Sequence, residues 1–202
     1  MAKKGEDTRK RILDTAQTMI LDLGYAGVSI DQLIKRLGLT KGAFFHHFRS
    51  KHELARALIE RYSDEGIALF NASLARARKL SDDPLQQFLI LIGLYEELFE
   101  DLTEPYPGCL LASYVYELQQ FDAATVQIIR DSFLGWRALL KEKLDTVVAQ
   151  YPARLDIDTT SLADMFTVVI EGAFITSKAL DEPEVVPAQL RHFRNYIELL
   201  FS

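Results

Sequence analysis

Apolar positions recur at helical spacing along most of the chain. Ile12, Ala16, Ile20 and Leu23 form one stripe, and Phe88, Leu91, Tyr95, Phe99 and Leu102 a second. Val126, Ile129, Phe133, Trp136, Leu140, Leu144 and Val147 form a third, and Leu190, Phe193, Ile197 and Leu200 a fourth. Steps of three and four residues place such side chains on one face of an α-helix. Strand-like alternation bounded by Asn-Gly or Asp-Gly turns is missing. Prolines stand only at 84, 105, 107, 152, 183 and 187, so the stretches between them can run as long helices. The pattern predicts an all-α chain of about nine helices.

Start and stop signals sharpen the first third. Ser29-Ile30-Asp31-Gln32 is a capping box, in which the serine hydroxyl accepts from the N3 amide and Gln32 reaches back. Ser50-Lys51-His52-Glu53 is a second box, and Asp83 precedes a proline at N1. Gly38 can end a helix with positive φ. These signals predict a helix over 29–37, a turn at 38–39, and a short helix capped by Thr40 that stops before Ser50. Two short helices joined by a tight glycine turn suggest a helix-turn-helix. Ile30, Leu33, Ile34 and Leu37 face inward on the first, and Phe44 and Phe48 anchor the second. Thr40, Lys41, Gly42, Ala43, His46 and His47 remain outward, as small residues and donors suited to phosphates and base edges.

Charge supports that placement. The net charge of −6 would argue against nucleic acid, but residues 1–52 carry ten Lys/Arg and five Asp/Glu, a balance of +5. Residues 53–202 carry thirteen and twenty-four, a balance of −11. A basic segment on an acidic chain is the footprint of a nucleic-acid face. The 202 residues are 49% hydrophobic and 26% charged, which excludes a disordered chain. One cysteine cannot form an internal disulfide, and residues 1–7 lead into no apolar signal sequence. The longest nearly apolar run, Phe88 to Tyr95, is far short of the ~20 residues of a membrane span. A cytoplasmic protein without membrane association is expected.

The run Gly38-Leu39-Thr40-Lys41-Gly42-Ala43-Phe44-Phe45-His46-His47-Phe48-Arg49-Ser50-Lys51-His52-Glu53-Leu54 resembles the signature of the TetR family of transcriptional regulators. Thr8 to Leu13, Gly24-Tyr25 and Val28-Ser29-Ile30 fit the same family's opening. The specific likeness covers roughly residues 8–60. It implies a homodimer, each subunit with three N-terminal DNA-binding helices over 1–52, a connecting helix continuing to about 79, and a larger effector and dimerisation domain over 53–202. By position it assigns double-stranded DNA contacts to Ser29, Thr40, Lys41, Gly42, Ala43, Phe45, His46, His47 and Lys51. The family usually has tyrosine where Phe45 stands, and phenylalanine cannot donate to a phosphate. Arg49 replaces a frequent proline and adds a candidate phosphate contact, as do Lys3, Lys4, Arg9 and Arg11.

The C-terminal part reads as sensor and dimeriser. Ser81 to Ile129 holds nine acidic residues and no Lys, Arg or His. That charge is either a solvated helix face or a pocket for cationic or electron-poor ligands, with Glu96 and Glu117 as inward candidates. An apolar pocket for an unidentified small-molecule effector is expected among Tyr95, Phe99, Cys109, Tyr114, Phe133, Trp136, Phe166 and Glu171. Glu171 itself is read as exposed. Cys109, at a predicted helix start, is either a small buried residue or a redox and electrophile sensor. The helix 159–181 is apolar on most faces, which suggests a second subunit as partner. Leu162, Phe166, Val169, Ala173 and Thr176 would form that interface with Phe193 and Ile197. No nucleophile motif, phosphate loop or metal-ligand spacing is visible, so neither an enzyme nor a bound metal or cofactor is expected. Adjacent His46 and His47 point apart on a helix and make a poor metal site with His52. A ligand-released repressor of a near-palindromic operator is the leading expectation, and an all-helical protein-binding adaptor its rival.

Overall fold

The computed structural model describes residues 2–201, with side chains from Gly5 onward. Among these residues are nine α-helices, one short 3-10 turn and no strand. Helices α1 to α5 span Ala2–Gly27, Ile30–Leu37, Lys41–His47, Lys51–Leu80 and Pro84–Glu100. After α6 (Leu110–Val115) and the 3-10 turn (Leu118–Gln120) come α7 (Ala123–Gln150), α8 (Thr159–Leu180) and α9 (Val185–Phe201). No helix is long and apolar enough to cross a membrane among the described residues.

The helix ends follow from adjacent residues. The Ser29 hydroxyl accepts from the Gln32 amide at 3.2 Å, and the Gln32 side chain accepts from the Ser29 amide at 2.7 Å. Gly38 closes α2 at φ 64, a left-handed conformation that costs a residue with a Cβ. Thr40 caps α3 through the Ala43 amide at 3.2 Å, and Asp83 caps α5 through the Gln86 amide at 2.8 Å. The second predicted box differs in one bond. Ser50 accepts from the Glu53 amide, but the Glu53 carboxylate reaches one residue further back, to the Arg49 amide at 2.7 Å.

Contacts divide the chain into two compact units. The first comprises Met1–Glu65 with Gly108–Ser132, the second Gly66–Pro107 with Phe133–Ser202. Compactness therefore groups residues 108–132 with the first three helices, a grouping that chain order cannot reveal. In the first unit α1 packs on α2 and α6, over a core of Ile12, Ala16, Leu33, Phe44, Phe48 and Leu58. In the second, α9 packs on α5 and α8 around Phe88, Ile92, Phe166, Leu190 and Ile197. Each large apolar side chain so buried contributes about 1.5–3 kcal/mol relative to exposure.

Candidate nucleic-acid interface

α3 ends at Phe48, whose backbone turns extended (φ −141, ψ 117) while its amide still donates to the Phe44 carbonyl. Phe44 and Phe48 are buried with ring centres 6.1 Å apart, and Phe45 meets the Phe44 ring edge-on at 5.5 Å. Thr40, Lys41, Gly42, Phe45 and His46 are exposed, while Ala43 and His47 are half-buried. A Cβ added at Gly42 would meet open space, so nothing within the chain demands glycine there. Phe45 is 44% exposed, an apolar ring on an otherwise polar face.

The charged groups around this face are held in different ways. Lys41 pairs with Asp31 at 2.9 Å, but both side chains are 71% exposed, so water screens the pair and a phosphate can replace it. His46 and His47, expected to point apart on the helix, instead stack edge-on at 5.1 Å. Partial burial, with smaller contributions from His46 and Arg9, holds the His47 pKa below the ordinary value of 6.5. Arg9 lies 5.1 Å from the centre of the Phe48 ring, and Arg11 donates to the Leu37 carbonyl at 3.3 Å. Ser29 and Arg49 are exposed. Lys3 and Lys4 fall outside the residues whose side chains are described.

Lys51 has a second attachment. Its ammonium donates to the Tyr25 carbonyl and sits 4.0 Å from the centre of the Tyr25 ring. Burial lowers its pKa, partly offset by the charge of Glu117. Desolvation raises the Tyr25 hydroxyl to about 12. The acidic segment leaves Glu117 between a solvated helix face and an inward carboxylate. In the structure it accepts from the Tyr25 and Ala26 amides at 2.6 and 2.8 Å. Nothing local announces this bond, because the partners lie 92 and 91 residues apart.

The expected pocket residues are divided between the two units. Tyr95, Trp136 and Phe166 share one aromatic cluster, with ring centres 5.5–6.3 Å apart. Phe99 joins Tyr106 and Phe174 in the same unit. Tyr114 belongs to the first unit and packs on Tyr25 and Phe121 at 5.5 and 4.9 Å. Cys109 is half-buried at the N-cap of α6, without a side-chain capping bond. Phe133 and Glu171 are half-buried, the latter less open than expected. The hydroxyls of Tyr95 and Tyr114 are buried without a partner, and desolvation raises both pKa values. Two open grooves in the second unit, of ≈ 390 and ≈ 380 Å³, are lined by α4, α5 and α9 residues such as Arg76, Leu94 and Glu97. None of the eight expected pocket residues lines either groove. Glu96 is occupied: it is buried, Arg191 donates to its Oε1 at 2.6 Å, and the Arg194 guanidinium lies 3.4 Å from Oε2 as an ion pair. Its negative charge is therefore matched within the chain.

The residues expected at a subunit interface fall largely inside the protomer. Leu162, Phe166, Ala173, Phe193 and Ile197 are buried in the single chain, Val169 is half-buried, and Thr176 is exposed. Exposed apolar side chains on these helices include Val168 (68% exposed), Ile175 (56%) and Leu180 (57%) on α8, and Leu199 (64%) on α9. The α8 sequence is apolar on nearly every face, so periodicity could not separate its inner from its outer stripe. Among the described residues no group of three or more His, Cys, Asp or Glu could hold a metal ion.

Comparison with known proteins agrees with this geometry. Residues 12–58 match the family described as bacterial regulatory proteins, tetR family, and residues 84–193 match the tetracyclin repressor-like C-terminal domain. The HTH-type transcriptional repressor NemR of Escherichia coli K12 is 38% identical over 193 residues, 95% of this chain and 94% of that protein. The transcriptional regulator AcuR of Cereibacter sphaeroides is 25% identical over 178 residues, 86% of this chain and 78% of that protein. A TetR-family regulator from Agrobacterium tumefaciens superposes with a TM-score of 0.79 at 25% identity, covering 98% of this chain and 100% of that one. With a capped helix-turn-helix in place and both halves of the chain matched, this protein belongs to the TetR family of DNA-binding transcriptional regulators.

Proposed function

We propose that the chain is a repressor that binds a near-palindromic operator as a homodimer and leaves it when a small molecule binds the C-terminal part. The observation that carries this reading is the outer face of α3, where Thr40, Lys41, Gly42, Phe45 and His46 are exposed on a helix fixed from behind by Phe44 and Phe48. In this reading residues 1–52 read DNA, and residues 53–202 bind the effector and the second subunit. Ser29 and the α3 start near Thr40 hold phosphates, since amides at helix N-termini favour anions. Ala43 and Phe45 offer apolar contact to thymine methyls, and His46 and His47 supply donors. Lys51 keeps donors for a phosphate, because an ammonium has three and the Tyr25 carbonyl takes one. Val168, Gly172 and Ile175 on α8, with Leu199 on α9, provide the exposed small and apolar stripe for the second copy. The two α3 helices then enter major grooves ~34–36 Å apart. Repression is supported by the E. coli relative, a repressor by name.

Selection of genomic DNA fragments by the purified protein near physiological salt, followed by sequencing, tests the reading. Enrichment of a near-palindrome is expected. Binding without sequence preference overturns it and favours the adaptor.

A second reading places the trigger at Cys109. It is half-buried at the start of α6, just after Gly108 at φ 107. Cys109→Ser then leaves operator affinity intact and abolishes release by peroxide or an alkylating electrophile. Unchanged release rules the thiol out.

A further inference from the structure

Helix α1 is broken near its end. Gly24 adopts φ 74 and ψ 164, and Tyr25, Ala26 and Gly27 follow before Ser29 caps α2. Within the first unit, residue 25 is held at three points. Its amide, with that of Ala26, donates to the Glu117 carboxylate at 2.6 and 2.8 Å. Its carbonyl accepts from the Lys51 ammonium and from the Val28 amide. Its ring packs against Tyr114 and Phe121 at 5.5 and 4.5 Å. The fit is close, since a Cβ on Gly24 would lie 2.8 Å from Glu117 Oε1. A carboxylate accepting two backbone amides makes the strong, charge-assisted kind of hydrogen bond. The direction in which the chain leaves α1 and enters α2 is thus tied to a residue that follows α6.

We propose that Glu117 is a positioning residue for DNA binding. Its carboxylate fixes the junction between α1 and α2, keeps Tyr25 under Lys51, and so sets the register in which α3 and Lys51 meet the duplex. Glu117 itself touches no DNA. The proposal rests on the DNA-binding reading above.

The test uses the full chain with Glu117→Ala and Glu117→Gln. Two duplexes serve as probes: the fragment recovered by genomic selection and a random sequence of equal length. Glu117→Ala weakens binding to the selected fragment by about tenfold or more, the scale of one lost hydrogen bond to a charged group. Binding to the random duplex changes by less than about twofold, because phosphate attraction alone does not need the register. Glu117→Gln, which keeps one carbonyl acceptor, recovers part of the loss. Hydrogen exchange of the Tyr25 and Ala26 amides rises about tenfold while that of α8 is unchanged, marking a local opening. Gly24→Ala costs more in the wild-type background than beside Glu117→Ala, where the close contact is gone. Equal loss on both duplexes, matching a fall in folded fraction, reduces Glu117 to a structural role and overturns the proposal. So does unchanged amide exchange. If the wild-type chain binds no DNA, the regulator reading falls, and amide exchange still decides whether Glu117 holds the junction.

Discussion

The segment from Val28 to Leu54 and the helices α5, α8 and α9 are built on different principles. In the first, helix ends are set by residues within four positions: the side chains of Ser29, Thr40 and Ser50 with Glu53, and the left-handed backbone of Gly38. In the second, order depends on partners far along the chain, such as Tyr95 with Trp136 and Phe166, or Glu96 with Arg191. Local encoding leaves one face of each short helix free, and that free face carries the proposed recognition chemistry. Distant encoding commits side chains to one another, and function there depends on which contacts a ligand or a second subunit can displace.

The contrast can be broken most forcefully at the anchors. Phe44→Ala empties a fully buried site and costs about 3–5 kcal/mol in urea unfolding, with operator binding lost. Phe166→Ala costs about 3–5 kcal/mol as well, but each folded molecule still binds the operator. Equal loss of DNA affinity in both variants erases the distinction between the regions. At the next scale, Ser29→Ala removes a bonded cap and costs about 1 kcal/mol.

Smaller effects separate the two lysines. Lys41→Ala and Lys51→Ala each lower the slope of log affinity against log salt by about one phosphate. Only Lys51→Ala also lowers stability, by roughly 1 kcal/mol, through the Tyr25 contact. An unchanged slope for Lys51→Ala assigns that side chain wholly to the junction. The smallest effect is titration of His47. Its depressed pKa keeps it neutral in the free protein at pH 7, and a phosphate nearby raises that pKa. Binding then takes up a proton, so affinity rises as pH falls from 7 toward 6, by less than about tenfold per unit for one group. Stability moves the other way. The unfolded chain protonates first, so stability falls as pH drops through 6.5 and the loss ends below the folded pKa. His47→Gln flattens the affinity profile, and a persistent slope places the proton elsewhere.

This contrast also explains what was legible in the sequence. The caps, the glycine turn and the buried Phe44 and Phe48 follow from neighbours a few residues away, and they match the structure except that Glu53 closes on the Arg49 amide instead of that of Ser50. The stripes of α5 and α9 were also visible as faces. Periodicity could show that α8 is buried on several sides, but not which stripe faces its own core. Leu162, Phe166 and Ala173 turn inward, and Val168 and Ile175 stay outside. Cys109 and the tyrosines could be recognised as chemistry but not assembled, because their neighbours are set by tertiary packing. Tyr114, for example, packs in the cluster around Tyr25. Glu117 was legible as a candidate inward carboxylate, but not by its partners, the amides of Tyr25 and Ala26.

The close fit of Gly24 to Glu117 bears on how such regulators can be recombined. A chimera made by joining residues 1–52 to another regulator's effector domain would follow the apparent modular seam. It would leave Glu117 behind while carrying Gly24 and its two amides forward. The transplanted reading head would inherit a socket without its plug unless the recipient supplies an acidic side chain at the matching place. Rational grafting should therefore move residues 24 and 117 as a pair, although 92 positions separate Glu117 from the first amide it holds.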